Sequence, residues 1–375
     1  MALNAFRPLG GSFFAWRSGQ VKLAADAGRG GTQMKKLPLV SSGQQILLNA
    51  PLTPRGLWFI GLGREAHGDH KGARDAFTMA EHLSRREGSV QLWLAADDLK
   101  KMRGESGLRH FDIVLRTTPE AAQEILPRLS MAAMSPDGRA ALKPYMRPEN
   151  PWMSRFLITA AERLPRAAPL GLLLSEPGLR LPDDPTSREA YSVLVRRLAA
   201  ENSYDVFGRV YPVLPRADAK SLQGLGLEFL SSPGRGYAPA VWDFGASSDR
   251  GGAPIAVGND QVGLEFFAAP GTVGAAGSKL IQPGARRTIE WTIEDRVVNS
   301  DATARWIATC VGGNGEGAKT SSGDMIAKLP TGKRLRFNLP AGCQMVRLDL
   351  RFAGGTGRQP ASLIVGNLRL LATSR

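Results

Sequence analysis

His67 and His70 stand three residues apart on either side of Gly68, a spacing that could chelate a metal ion if a carboxylate such as Asp69 or Asp75 joined them. The pair straddles a turn, and a metal needs three or four converging groups, so solvated turn residues are the expectation and no metal is assigned. His82 and His110 have no partner that the sequence identifies. From Gly312 to Thr320 the glycines and Lys319 approximate a phosphate loop, but Ala318 parts Gly317 from Lys319 and strand patterns flank the segment. It reads better as a loop between strands. No Gly-x-Ser-x-Gly elbow, Cys–His constellation or facing carboxylate pair stands out. The expectation is therefore no catalytic residue and no cofactor, with the chemistry residing in surfaces.

Two kinds of surface suggest themselves. Trp242, Trp291 and Trp306 could stack against sugar rings. Trp291 shares strand parity with Ile289 and Ile293, and Trp306 with Ala308 and Cys310, so both are expected in the core. Trp242 is the least committed, leaving Trp242, Asp243, Arg305 and Asp324 as glycan-binding candidates. The second surface is electrostatic. The net charge is +14, with Arg outnumbering Lys 36 to 12, yet the basic residues are dispersed and many neighbour an acid, as in Arg85-Arg86-Glu87. Nucleic acid is not expected, because a nucleic-acid footprint is clustered. Solvated faces account for most of this charge, and an acidic polysaccharide or an anionic envelope surface would also be drawn to such a protein. The outward-facing Arg334, Arg336, Arg347 and Arg351 are the best local candidate for that attraction.

The elements that must carry these residues are legible from periodicity. Gly56, Trp58, Ala73, Phe77 and Ala80 are answered 34 residues later by Val90, Leu92, Gly107, Phe111 and Val114. Such a period marks stacked helix pairs, none of which buries its apolar face alone. Thr53 and Pro54 supply an N-cap and N1 pair for a helix running through Trp58 and Leu62 to Gly68, and Asp69 caps the next. Over residues 36–120, with Gly68-Asp69, Ala73, Phe77 and Ala80 as the best match, the chain resembles a tetratricopeptide-type repeat protein. That resemblance implies a groove lined by the first helix of each unit, with Arg55, Phe59, Arg64, Gln91 and Asp98 as candidates, and a protein partner docked there.

Further helix starts are predicted at Thr118-Pro119, Ser135-Pro136 and Asn150-Pro151, and Thr186 with Glu189 has capping-box spacing. Residues 1–214 therefore read as one α-helical layer, with 166–186 an ordered excursion, and the glycine-rich 215–236 as a linker. From 237 to 375 the period becomes two, as in Thr288–Glu294, Arg334–Leu339 and Val346–Phe352. Turns at Gly258-Asn259-Asp260, Gly312 to Gly317 and Gly354 to Gly357 separate the strands, predicting an antiparallel β-sandwich. The closing run Leu363 to Leu370 is similar to the last strand of carbohydrate-binding jelly rolls of the galactose-binding-like kind.

Cys310 and Cys343 both fall in the sandwich, and the sequence leaves open whether they are bonded or are two separate buried thiols. No stretch approaches the roughly 20 apolar residues that span a bilayer, and no export signal is readable. Localisation stays undetermined: cytoplasmic as the chain stands, periplasmic or envelope-associated if a signal or anchor lies upstream. The expectation is a multidomain α plus β, non-catalytic adaptor, with an intracellular protein scaffold or an enzyme with a dispersed site at the domain junction as alternatives.

Overall fold

The computed structural model describes residues 38–225, 227, 235–245, 247–258, 261–297, 301–313, 316–322 and 331–372. Helices fill the first part of the described chain and two antiparallel sheets the second, an α plus β layout in which twelve α-helices precede nine strands. Two compact units emerge among the described residues, the first comprising those up to 165 and 176–190, the second those of 166–175 and from 191 onward.

In the first unit, α1 (Leu39–Asn49), α2 (Pro54–Ala66), α3 (His70–Leu83), α4 (Gly88–Lys100) and α5 (Gly104–Thr117) follow one another through short connections. Pro54 sits at the start of α2, where its missing N–H costs nothing, although the Thr53 side chain makes no capping bond. Asp69 accepts from the Gly72 amide at 2.8 Å and so caps α3. Between these helices Gly68 has φ of +84°, a left-handed turn that glycine enters without a Cβ penalty. Ala73, Phe77 and Ala80 are fully buried on one face of α3, and the Phe77 ring lies 4.4 Å from Trp93 of α4. Gly61 lets that ring approach: a Cβ there would stand 2.7 Å from it.

The unit continues through α6 (Ala122–Ala132), α7 (Pro136–Leu142) and α8 (Met153–Arg163). Ser135 caps α7 by accepting from the Gly138 amide at 3.0 Å. At α10 (Pro185–Ala200) the start differs from the Thr186 capping box. Asp184 takes the cap instead, accepting from the Ser187 amide at 3.1 Å and from the Ser187 and Ser154 hydroxyls at 2.6 and 2.7 Å, so Thr186 lies inside the helix. The physical reason is Pro185, which suits N1 and moves the cap two residues upstream. Burial alone would raise the Asp184 carboxyl, but these bonds hold it below its ordinary value.

The second unit holds α9 (Ala168–Leu174), the end of α10, α11 (Tyr204–Val210), α12 (Lys220–Gln223) and the nine strands. One sheet orders its strands as β1 (Arg250–Val257), β2 (Gln261–Ala268), β9 (Ala361–Ala372), β4 (Arg286–Val297) and β7 (Arg334–Asn338). The other orders β3 (Val273–Ile281), β8 (Cys343–Ala353), β5 (Thr303–Gly313) and β6 (Lys319–Ser321). Every pairing is antiparallel. The alternating strands Thr288–Glu294 and Val346–Phe352 turn one parity inward, giving a sandwich core of Phe266, Ile289, Trp291, Ile293, Trp306, Leu348, Leu350, Phe352 and Leu363.

Cys310 of β5 and Cys343 of β8 are joined by a disulfide, with Cα atoms 5.5 Å apart. Lys279 is an unexpected core member. Fully buried on β3, it donates to the carbonyls of Ser221 at 2.8 Å and Ala240 at 2.5 Å, binding the segments before and within 235–245 to the sheet. A buried amine is tolerable because these carbonyls replace its hydration.

Candidate functional site

Sheet parity and register place exposed arginines on the outward side of the four-stranded sheet. On β5, Ala304, Trp306, Ala308 and Cys310 point inward, leaving Arg305, Ile307 and Thr309 outward. On β8, Val346, Leu348, Leu350 and Phe352 point inward, leaving Arg347, Asp349 and Arg351 outward. The register sets Arg305 directly opposite Arg351, Ile307 opposite Asp349 and Thr309 opposite Arg347. Asp349 is already engaged, accepting from Ser278 at 2.6 Å and pairing with Arg347 at 3.0 Å. Arg305 and Arg351 have no ion pair or hydrogen-bond acceptor among the described residues. Two like charges opposed across neighbouring strands destabilise a sheet, and a bound anion would remove that cost.

The other arginines are placed elsewhere. Arg334 and Arg336 lie on β7, in the five-stranded sheet, so the four outward arginines do not make one row. Arg336 is also spent, since its guanidinium meets Glu290 at 2.5 Å. Alternation along a strand fixes which face a residue takes but not which sheet the strand joins.

Trp242 is only 4% exposed. Its Nε1 donates to the Leu225 carbonyl at 2.8 Å, and Phe244, Phe266 and Trp306 surround its ring at about 6 Å. No ring face is left for a sugar. The neighbouring Asp243 pairs through its backbone with Ser278 and faces Arg196 at 3.5 Å. Asp324 lies outside the described residues, as do Asn259 and Asp260 of one predicted turn. The Gly312–Thr320 segment joins β5 to β6, strand to strand.

In the helical unit, Arg55 and Arg64 are exposed on α2 and Phe59 is half-buried against Trp58. Gln91 and Asp98, however, are fully buried. Their helix α4 is enclosed along its whole run from Val90 to Leu99, so its polar side chains cannot line an open groove. They form an internal ionic network instead. Asp98 sits 2.8 Å from guanidinium nitrogens of both Arg74 on α3 and Arg103 before α5, and 3.6 Å from Nε2 of buried His110 on α5. His110 Nδ1 lies 2.6 Å from Gln91 Oε1 and 3.5 Å from Glu81 Oε1. Asp97 meets Arg74 and, at 2.9 Å, Lys101.

Burial would raise the Asp98 carboxyl. The Ser106 and Arg74 donors and the charges of Arg74 and Arg103 outweigh it and hold the Asp98 carboxyl below its ordinary value. Burial lowers the His110 pKa; Glu81 and Asp98 oppose the shift, while Arg109 and Arg74 add to it. The imidazole is therefore neutral near neutral pH. The signal that could have revealed this network was the apolar run Leu92 to Ala96 followed directly by Asp97-Asp98, with Lys100, Lys101 and Arg103 closely behind.

Acidification is expected to loosen the helical unit in two stages. Below the ordinary histidine value of 6.5 the unfolded chain takes up the His110 proton before the folded one does, so stability falls with pH until the lowered folded value is passed. Asp98 contributes stability above 3.8 that is lost as pH falls through its still lower folded value. Thermal melts by far-ultraviolet circular dichroism check this, and His110→Gln should abolish the upper stage alone. An unaltered midpoint between about pH 7 and about pH 5 in the unmodified chain would refute it.

His67 and His70 do not converge on a metal. His67 Nδ1 lies 2.7 Å from the Gly63 carbonyl and His70 Nδ1 lies 3.0 Å from Glu65, and no group of three or more metal-ligating side chains occurs among the described residues. No described helix is long and apolar enough to cross a membrane. No protein-family model matches the chain, and no curated protein matches it. The functional reading therefore rests on the residues and their geometry.

Proposed function

We propose that this protein is a non-catalytic adaptor whose helical unit docks a protein partner and whose β-sandwich binds an acidic polysaccharide. The observation that carries the glycan half is the exposed, directly opposed pair Arg305 and Arg351, which lacks an acidic partner among the described residues. Guanidinium groups bind carboxylates through two parallel hydrogen bonds, and two of them on a pleated face would track successive acidic groups of a polymer. The strand pattern of Leu363 to Leu370, similar to carbohydrate-binding jelly rolls, agrees with this. On α2, Arg55, Phe59 and Arg64 offer the accessible positions for protein docking. The Cys310–Cys343 bond supports an oxidising compartment, and with it an envelope setting.

Replacing both arginines tests the glycan half. Arg305→Ala with Arg351→Ala should weaken binding of a polyuronate at least about tenfold, the order expected for losing charge-assisted hydrogen bonds. Thermal stability should stay level or rise slightly, because a like-charge pair is removed. Arg336→Ala, which removes an arginine already paired with Glu290, should change binding little. Equal binding by the double variant and the unmodified chain would sink the assignment.

A further inference from the structure

We propose that a pocket on the helical unit binds a zwitterion of dipeptide size, an activity beyond the adaptor role. The pocket, of about 470 Å³, opens between α5, α7 and the single helical turn Lys143–Tyr145. That volume lies within the range of small-ligand sites. Ala140, Ala141 and Pro144 form a small apolar wall, and Ser106 sits where the pocket meets the internal network, its hydroxyl engaged with Asp98. The Tyr145 ring is held as a second wall by Trp152 at 5.9 Å, whose Nε1 in turn donates to Asp112 at 2.9 Å.

The charges at this pocket are opposite and unused. Glu105 and Arg109 are one turn apart on α5, the arrangement that ordinarily gives a helical ion pair, yet neither has an ionic or hydrogen-bonded partner among the described residues. The Tyr145 hydroxyl is likewise without a side-chain hydrogen bond among them. Burial raises its pKa, as do the Asp112 and Glu105 charges against Arg109 and Arg147, so it remains a protonated donor. Glu105 can take an ammonium group, and Arg109 with Tyr145 a carboxylate.

The pocket's volume of about 470 Å³ sets the ligand's size. A dipeptide extends roughly 7 Å between its terminal charges, whereas a free amino acid spans only one residue. Small side chains such as methyl groups would fit against Ala140, Ala141 and Pro144.

Calorimetric titration of the full chain with Ala-Ala, N-acetyl-Ala-Ala, Ala-Ala-amide and alanine provides the test. Ala-Ala should bind saturably, with both capped forms and alanine at least about tenfold weaker. Glu105→Gln should reduce Ala-Ala binding to the level of the acetylated form without weakening that form further, and Arg109→Gln should do the same with respect to the amide. Circular dichroism verifies that these exposed-site variants fold. Absent heat with Ala-Ala at millimolar concentration, equal binding of capped and free forms, alanine binding as tightly as Ala-Ala, or affinities indifferent to both variants would each overturn the proposal.

Discussion

Asp98→Ala is expected to destabilise the helical unit by about 2–3 kcal/mol, read as a lower midpoint in its own urea transition. Deleting one member of a buried ion pair costs about 3–5 kcal/mol when the partner is stranded. Here the stranded partners are partly wet: the side chains of Arg74 and Arg103 are 26% and 46% exposed, which discounts the penalty. His110 compounds it, because its Nε2 would lose the nearby carboxylate while Gln91 still holds Nδ1. Asp98→Asn separates charge from packing. It preserves the volume, so a cost close to that of alanine would assign the effect to the lost charge, and a negligible cost would contradict the ionic account of α3, α4 and α5.

Trp306→Ala should cost the sandwich about 3–5 kcal/mol, the range for truncating a buried aromatic residue. The ring is fully buried and has Trp242, Phe266 and Trp291 around it at about 6 Å, so several surfaces lose their partner together. Trp306→Phe should cost far less. Its phenyl ring keeps part of that contact, and the substitution deletes the indole N–H, which has no hydrogen-bond partner among the described residues and carries a penalty of about 1–3 kcal/mol. Denaturation followed by the remaining tryptophan fluorescence distinguishes the two. A phenylalanine variant as unstable as the alanine one would show that ring size alone sets the stability.

These two sites also show how far the sequence could be followed. Trp306 and Trp291 declared themselves by sharing parity with apolar neighbours, because a pleated strand buries alternate residues whatever its pairing. Arg305 and Arg351 could be assigned outward on the same grounds. Their meeting could not, since it depends on β5 and β8 being neighbours in one particular register. The same gap separated Arg334 and Arg336 from Arg347 and Arg351, which alternation alone could not assign to different sheets.

In the helices, the small-and-large spacing of Ala73, Phe77 and Ala80 was enough to identify a packed face. Gln91 and Asp98 were expected to line a groove because they lie on the first helix of a repeat unit. Their burial follows from α4 being covered on all sides, a tertiary fact, and is tolerated because Arg74, Arg103 and His110 arrive from other elements. Trp242 and Lys279 were obscured for a related reason: residues 220–225 and 235–243 lie back against the sheet and supply their partners Leu225, Ser221 and Ala240. Nothing local to either residue specifies that return.

The glycan assignment meets its most direct test in a charge-matched titration. The full chain would be titrated with a polyuronate and with the same polymer after its carboxyl groups have been reduced to alcohols, at several salt concentrations. Saturable binding of the polyuronate that weakens with salt, and at least about tenfold weaker binding of the reduced polymer, is the expected result for a face organised around Arg305 and Arg351. Equal affinity for the two polymers, or no binding of either, would contradict it.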